Sequence, residues 1–391
     1  MDGPNAQGSF RGAWFGILFP VAFLSALGLL ILMSAGASRA DPYLIVSKQA
    51  LWLSVAFCAG AAAAFIDLRL LKRLAVPVAA VSALLLILVI IPQVGKEVNG
   101  SRRWLELGPI VAQPSDLAKF ALIIFLSSYL YDNQRKLKTF SGGLFKPLMI
   151  VGLFCGPIIL EPDYGTTFLC GFVGLILIFL AGAKISHIAA VFVPLGAAFC
   201  TLIYFNPVRM ARILSFLDVE GTKADGSYQL YQAILAFGSG GVFGTGIGRG
   251  RQQLSFLPEA HTDFVFAIVG EELGIFATVS VVAAFAILFF VTIASLRKAP
   301  DLFEFSIATG AVMMIILQAL FNMCVVTGLM PTKGISLPFI SYGGSNLVAM
   351  FAFTGLILNC LRRWSRPTQI KIGELAVSYT HLRAHETLRH L

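Results

Sequence analysis

Charge is scarce in these 391 residues. Asp, Glu, Lys and Arg together make up 13% of the chain, about half the ~25% usual in soluble globular proteins. A soluble enzyme of this length needs a wettable surface, and this chain has too few residues to build one. Disorder is excluded as well, because 57% of the residues are hydrophobic and the mean hydropathy is +0.83. Cysteine is sparse. Cys58, Cys155, Cys170, Cys200, Cys324 and Cys360 form no C-x-x-C pair, and each lies in or at the end of an apolar stretch. They read as small core residues, which excludes a secreted disulfide scaffold and leaves the redox compartment undefined. Acidic residues are fewer than basic ones, 20 against 29, for a net charge of +9. Most of the cations sit at the ends of apolar segments, where they hold helices against anionic lipid, so no nucleic-acid partner is expected.

Apolar runs are what the chain has in abundance. Lipid offers no partner to backbone N–H and C=O groups, so such runs must be helices. Ten are expected, at 13–35, 45–66, 74–92, 115–131, 146–160, 165–182, 188–205, 264–296, 303–327 and 345–361. The expected fold class is therefore all-α, a polytopic membrane protein with ten transmembrane helices. The eighth run is too long for one simple span, so it projects beyond the bilayer or breaks. The first follows only Arg11 and is long for a signal-peptide core, so it reads as an uncleaved helix.

Cations orient the bundle. With the N-terminus inside, the inner side receives Arg11, the Arg69-Lys72-Arg73 group, the Arg135–Lys146 group, Lys184, Arg297-Lys298 and the Arg362–Lys371 group. These outnumber the Lys and Arg of the short outer segments, which places both termini in the cytoplasm. A long extracytoplasmic loop, 206–263, then joins helices 7 and 8. Residues 1–371 read as a single integral-membrane domain. Residues 372–391 are polar and read as a non-native or disordered tail, so His381, His385 and His390 within it are not taken as metal ligands.

Ionisable groups at the membrane edge are costly and are therefore the first functional candidates. Asn99-Gly100 is a turn pair before Ser101-Arg102-Arg103-Trp104, and Lys119 lies about one turn into the fourth run. Arg102 and Arg103 serve either substrate or lipid headgroups, whereas Lys119 needs a partner or a water-filled cavity. Glu161-Pro162-Asp163 puts two carboxylates in a tight turn, to bind a cation, to pair with the arginines or simply to face water. The long loop opens with Arg209 and Arg212. Its stretch 228–237 reads as a helix lying flat in the interface. The following run, Gly238 to Arg251, matches neither a Walker loop nor a dinucleotide fingerprint, and reads as a flexible loop carrying Arg249 and Arg251 toward an anionic headgroup. Asp263 precedes the eighth run, either as a helix cap or as a functional acid. On its helix face follow Ala267, Gly270, Glu271 and Gly274, leaving a groove for a lipid tail or another helix. Glu271 and Glu272 need partners inside that span. Between the ninth and tenth runs, Pro331, Pro338 and several glycines make a non-helical segment with Lys333, which at membrane depth must be covered by protein or line a cavity.

Five blocks, Asn99–Trp104, Gln113–Lys119, Glu161–Thr166, Pro258–Gly274 and Met330–Gly344, closely resemble the SEDS family of bacterial cell-wall glycosyltransferases, which includes FtsW, RodA and a sporulation relative. Pro-Glu-Ala-His-Thr-Asp-Phe at 258–264 and Glu161-Pro162-Asp163 look more like FtsW than RodA. The resemblance implies polymerisation of lipid II into glycan strands on the outer membrane face, with the family's essential acid at Asp263, expected here to be the catalytic base that takes the acceptor hydroxyl's proton. For the pyrophosphate leaving group of that reaction, Lys119, Lys333, Arg102, Arg103, Arg209 and Arg212 are the available cations, and Glu161, His261 and Ser341 complete the expected substrate-binding set. The implied partners are a class B penicillin-binding transpeptidase and membrane proteins of the division machinery. No cofactor is required with certainty. A divalent cation, Mg or Mn, bridging acid and pyrophosphate fits the chemistry, but no metal-ligand cluster is visible. A lipid-linked precursor flippase and an anchoring scaffold are the rival readings.

Overall fold

The computed structural model describes residues 5–36, 43–98, 101–108, 110–205, 207–223, 227–252 and 256–365. Every apolar run is helical. The helices are α1 (Asn5–Gly36), α2 (Leu44–Phe65), the short α3 (Leu68–Arg73), α4 (Ala75–Ile90), α5 (Pro114–Asp132), α6 (Lys146–Leu160), α7 (Tyr164–Leu180) and α8 (Ile185–Tyr204). Within the long loop lie α9 (Pro207–Leu217) and α10 (Tyr228–Gly240), followed by α11 (Val265–Leu296), α12 (Leu302–Val326) and α13 (Gly344–Trp364). Among the described residues, six helical stretches are long and apolar enough to cross a membrane, and α4 and α7 are shorter apolar helices. The C-terminal residues 366–391, including the proposed tail, lie outside the described set.

The all-α expectation needs one correction. Residues between α4 and α5 form a three-stranded antiparallel sheet, β1 (Gly95–Val98), β2 (Ser101–Leu107) and β3 (Ile110–Ala112). Glu97 stands opposite Arg102, and Leu105 opposite Ala112. The strands are short and the first pair is bulged between Lys96 and Glu97, so alternation is broken before it can show in the sequence. Asn99 and Gly100, the predicted turn pair, lie outside the described residues.

Close helix approach holds the body together. α13 packs along α2, and a Cβ placed on Gly355 would come within 2.1 Å of the Gly60 carbonyl oxygen. Small residues at such a seam let backbones touch, which drives helix association where the solvent is as apolar as the side chains. Asn359 Nδ2 donates across this seam to the carbonyls of Ala63 and Ile66, at 2.8 and 2.7 Å.

The over-long eighth run does break. Gly274, with φ 74° and ψ −166°, interrupts α11. A positive φ at this point is a glycine conformation. The glycine-rich run before α11 is not a free loop but the brace for this break. Ile275 N donates to Gly241 O at 3.1 Å, and Thr245 N and Gly246 N donate to the carbonyls of Glu271 and Glu272 at 2.9 and 3.0 Å. The buried Glu271 carboxylate accepts from Arg251 N at 2.7 Å and Gln252 N at 3.2 Å. The buried Glu272 carboxylate accepts from Ser34 Oγ at 2.5 Å and Gly248 N at 3.1 Å. The groove left by Gly270 is filled by α10, where the Phe237 ring occupies the space a Cβ would need. Glycines here allow backbone N–H groups to reach buried acids, a need that composition alone cannot distinguish from flexibility.

Candidate functional site

A cavity of about 420 Å³ opens where the sheet, the starts of α5, α7 and α13, and the segments flanking α11 and α12 converge. Arg103, Trp104, Gln113, Asp116, Lys119, Asp163, Glu259, Asp263, Gln318, Lys333 and Asn346 are among its lining residues. Acids and cations far apart in the chain thus share one space.

Pro114 at the first helical position starts α5, where its fixed φ suits a helix and its missing N–H is not needed. This places Asp116 and Lys119 on one face, one turn apart. Both are buried, and Lys119 Nζ donates to Asp116 Oδ1 at 2.8 Å and Gln318 Oε1 at 3.1 Å. Asp116 Oδ2 also accepts from Ser345 Oγ at 2.7 Å. The lysine thus has both the partner and the cavity its position demanded.

Asp163 caps α7, accepting from Thr166 N at 3.3 Å and Thr166 Oγ1 at 2.8 Å. From this anchored position it draws in two cations, Lys333 at 3.7 Å and Arg103 at 3.9 Å. Arg103 is fixed further by the carbonyls of Glu161, at 3.1 Å, and Pro162, at 2.9 Å. Of the turn's two acids, Asp163 therefore pairs with the cations.

Asp263 is half-buried at the cavity wall. It does not cap α11, whose N-cap is Phe264 without a side-chain bond. Its carboxylate makes no hydrogen bond or ion pair among the described residues, although its backbone carbonyl accepts from Asn322 Nδ2 at 2.6 Å. Burial, followed by the nearby charges of Glu259 and Asp163, pushes its pKa up to about 7 against the pull of Lys333 and Arg103. Gly334 makes room for it, since a Cβ there would lie 2.5 Å from Asp263 Oδ2.

Two amides on α12 set the frame. Gln318 and Asn322 lie one turn apart in an apolar helix, both buried. Gln318 Nε2 donates to Ser336 O and Asn346 Oδ1, each at 2.9 Å. Asn322 Nδ2 also donates to Ile335 O at 2.6 Å. They satisfy the non-helical backbone after Lys333 and fix its register against Asp263 and Lys119. A search confined to charges misses them; the available signal was a pair of amides at i, i+4 inside an apolar run.

Asp263, Lys119, Lys333 and Arg103 share the cavity, whereas other expected site residues do not line it. Arg102 immediately precedes Arg103 in β2 and faces the other side of the pleat, where it pairs with Glu97 at 3.2 Å. Glu161 is buried behind the Arg103 turn, with both carboxylate oxygens lacking a hydrogen-bond partner among the described residues. Burial, then Asp163, raises its pKa to about 8 against Arg103. His261 offers its backbone carbonyl to Tyr342 N at 2.9 Å and tilts its ring toward Tyr342. Ser341 is spent on structure, donating to Thr262 O at 2.5 Å and accepting from Leu337 N at 2.7 Å. Arg209 and Arg212 fall in α9, but their side chains lie outside the described set. Among the described residues no group of three or more His, Cys, Asp or Glu is placed to hold a metal ion.

Long apolar helices around a polar cavity with paired acids and cations define a multi-pass membrane protein with a charged site. The family model described as a cell cycle protein, FtsW/RodA/SpoVE, matches residues 16–365, and the chain belongs to that family. Relatives include a probable peptidoglycan glycosyltransferase FtsW from Geobacter sp. (strain M18), 36% identical, covering 89% of this chain and 96% of that protein. The Coxiella burnetii protein of the same name is 37% identical, over 88% of this chain and 95% of its own length. Among solved structures, a chain from work on structural coordination of polymerization and crosslinking by a peptidoglycan synthase complex aligns with TM-score 0.76 and 28% identity, covering 90% of this chain and 98% of that one. The rod shape determining protein RodA of Thermus thermophilus aligns with TM-score 0.65 and 27% identity over the same shares.

Proposed function

We propose that this chain is a peptidoglycan glycosyltransferase of the FtsW type, polymerising lipid II into glycan strands at the outer face of the cytoplasmic membrane during septal wall synthesis. The observation that carries this reading is that Asp263, whose carboxylate takes no hydrogen bond or ion pair among the described residues, shares one cavity with Lys333, Arg103 and Lys119.

The chemistry divides between these groups. The acceptor hydroxyl attacks the anomeric carbon of the donor sugar, and the bond from that carbon to the pyrophosphate oxygen breaks. Asp263 takes the hydroxyl proton as general base. A pKa near 7 suits that task better than an ordinary carboxylate, because it combines a useful basic fraction with a stronger pull on the proton. Lys333 and Arg103, held by Asp163, meet the charge that develops on the departing pyrophosphate, with Lys119 in the same cavity. One displacement inverts the anomeric centre. A Mg or Mn requirement through the substrate pyrophosphate is tested by adding EDTA and restoring each ion.

The proposed topology has ten spans, cytoplasmic termini and an outer loop carrying α9 and α10. The cavity lies at one end of α5, α12 and α13 rather than at their middles, which favours a polymerase over a midplane carrier. A class B penicillin-binding transpeptidase and division proteins are the proposed partners. The deciding test is a chain-length assay with purified protein and lipid II, with and without that transpeptidase. Glycan chains are expected. Transbilayer movement of lipid II without polymer would overturn the assignment in favour of a flippase, and neither activity would leave an anchoring role.

A further inference from the structure

The opposite ends of α5, α12 and α13 enclose a second cavity, of about 690 Å³, lined by Arg69, Lys72, Arg73, Asp132, Asp301 and Arg363 together with Val76, Tyr131 and Phe303. On α5 the first cavity is lined by Asp116 and Lys119 and this one by Ser128, Tyr131 and Asp132. At 1.5 Å per residue, Asp116 and Asp132 stand about 24 Å apart along the helix, so the two cavities open toward opposite ends of the bundle.

Every acid here is already occupied. Asp132 binds Lys72 Nζ at 2.5 Å, and Lys72 also sits 4.0 Å from the centre of the Tyr131 ring. Asp301 caps α12, accepting from Glu304 N at 2.8 Å. Glu304 takes Arg363 Nε at 2.8 Å and Trp364 Nε1 at 2.7 Å. Two cations are left over. Arg69 and Arg73, both exposed, make no side-chain hydrogen bond or ion pair among the described residues. They stand four apart on α3 and therefore share a face, and α3 is held in place by its buried Leu68 and Leu71. Beside them Leu70, Leu74 and Val76 expose apolar side chains, and Val81, Leu84 and Ile87 continue exposed along α4.

We infer that this cavity is a binding site for the phosphodiester headgroup of an anionic phospholipid in the inner leaflet. Arg69 and Arg73 hold the phosphate, and an acyl chain runs along the exposed side of α4. Paired guanidinium groups match phosphate oxygens in geometry as well as charge, and basic pockets between transmembrane helices are suited to acidic headgroups. The apolar approach distinguishes a lipid from a water-soluble phosphate. This inference rests on the membrane placement of the helices and is independent of the glycosyl-transfer chemistry.

The test uses the full chain in detergent and native mass spectrometry with phosphatidylglycerol, phosphatidylcholine and inorganic phosphate as probes. One phosphatidylglycerol per chain is expected to bind at least tenfold more tightly than phosphatidylcholine. R69A/R73A should lose that preference, while R135A/K138A, which removes exposed cations at the same end, should keep it. R73Q, a smaller change, should weaken binding in the same direction and covers failure of the double variant to fold. Equal binding by wild type and both Arg variants overturns the site. An equal loss in R135A/K138A overturns it too, by showing unspecific surface attraction. Full displacement of the lipid by equimolar inorganic phosphate overturns the lipid assignment in favour of a free phosphate.

Discussion

At one end of α12, Glu304 is buried and its carboxylate is fully engaged, by Arg363 at 2.8 Å and Trp364 at 2.7 Å. Near the other end, the Asp263 carboxylate faces a cavity and takes no hydrogen bond or ion pair among the described residues, while the cations around it are held by Asp163 and Asp116. Both acids carry a cost of burial. Glu304 answers it with bonds from Arg363 and Trp364 that tie α12 to α13. Asp263 has no such bond among the described residues, and its pKa is pushed up to about 7. The contrast teaches that proximity of opposite charges does not mark a reactive group; incomplete engagement beside an open space does.

Asp263→Asn should have the largest effect on chemistry. Loss of a general base costs roughly 10²- to 10⁴-fold in rate, read as glycan formed from lipid II by purified protein. Thermal unfolding at pH 8 should be unchanged or slightly improved. The folded-state pKa lies above the ordinary carboxylate value, so the ionised acid disfavours the folded state as pH rises through about 7, and Asn removes that penalty. Normal polymerisation by the mutant would sink the base assignment. In the wild type, kcat/KM should rise with pH and level off above about 7; a rate flat from pH 5.5 to 8 would remove Asp263 from the proton transfer.

Lys119→Met should destabilise by about 3–5 kcal/mol, because it strands a buried Asp116. D116N/K119M should recover most of that stability in a chemical-denaturation series yet still use lipid II poorly. Recovery of both stability and donor use would make the pair purely structural. Glu304→Gln at the opposite end should cost about 1.5–3 kcal/mol through its charged hydrogen bonds, while polymerisation per folded molecule stays at the wild-type rate. A specific loss of activity there would break the division of labour between the two ends. Glu161→Gln should matter least at pH 7. With a pKa near 8 the group is mostly protonated there, and an amide replaces it at almost the same size. A loss of activity beyond about threefold would show that its ionised form is used.

The positions of the helices were legible because apolar runs in lipid have one way to satisfy their backbone. The break in α11 was legible from its length, and Asp263, Lys119 and Lys333 stood out as costly groups at the membrane edge. The sheet at 95–112 was hidden by short, bulged strands. Arg102 and Arg103 were indistinguishable as neighbours until the pleat turned them to opposite sides. The glycine-rich run read as slack because its partners, Glu271 and Glu272, are bound through backbone groups that every sequence has.

By itself, then, the sequence determined the membrane class, the helical segments and the kinds of charge available, since hydropathy and desolvation act on each residue where it stands. Tertiary structure decided which charges meet. Asp163 rather than Glu161 draws in the cations, Gln318 and Asn322 hold the segment that carries Lys333, and the Asp263 carboxylate takes no hydrogen bond or ion pair among the described residues. Those outcomes depend on ångström-scale approaches between segments far apart in the chain, and electrostatic pairing changes steeply over such distances.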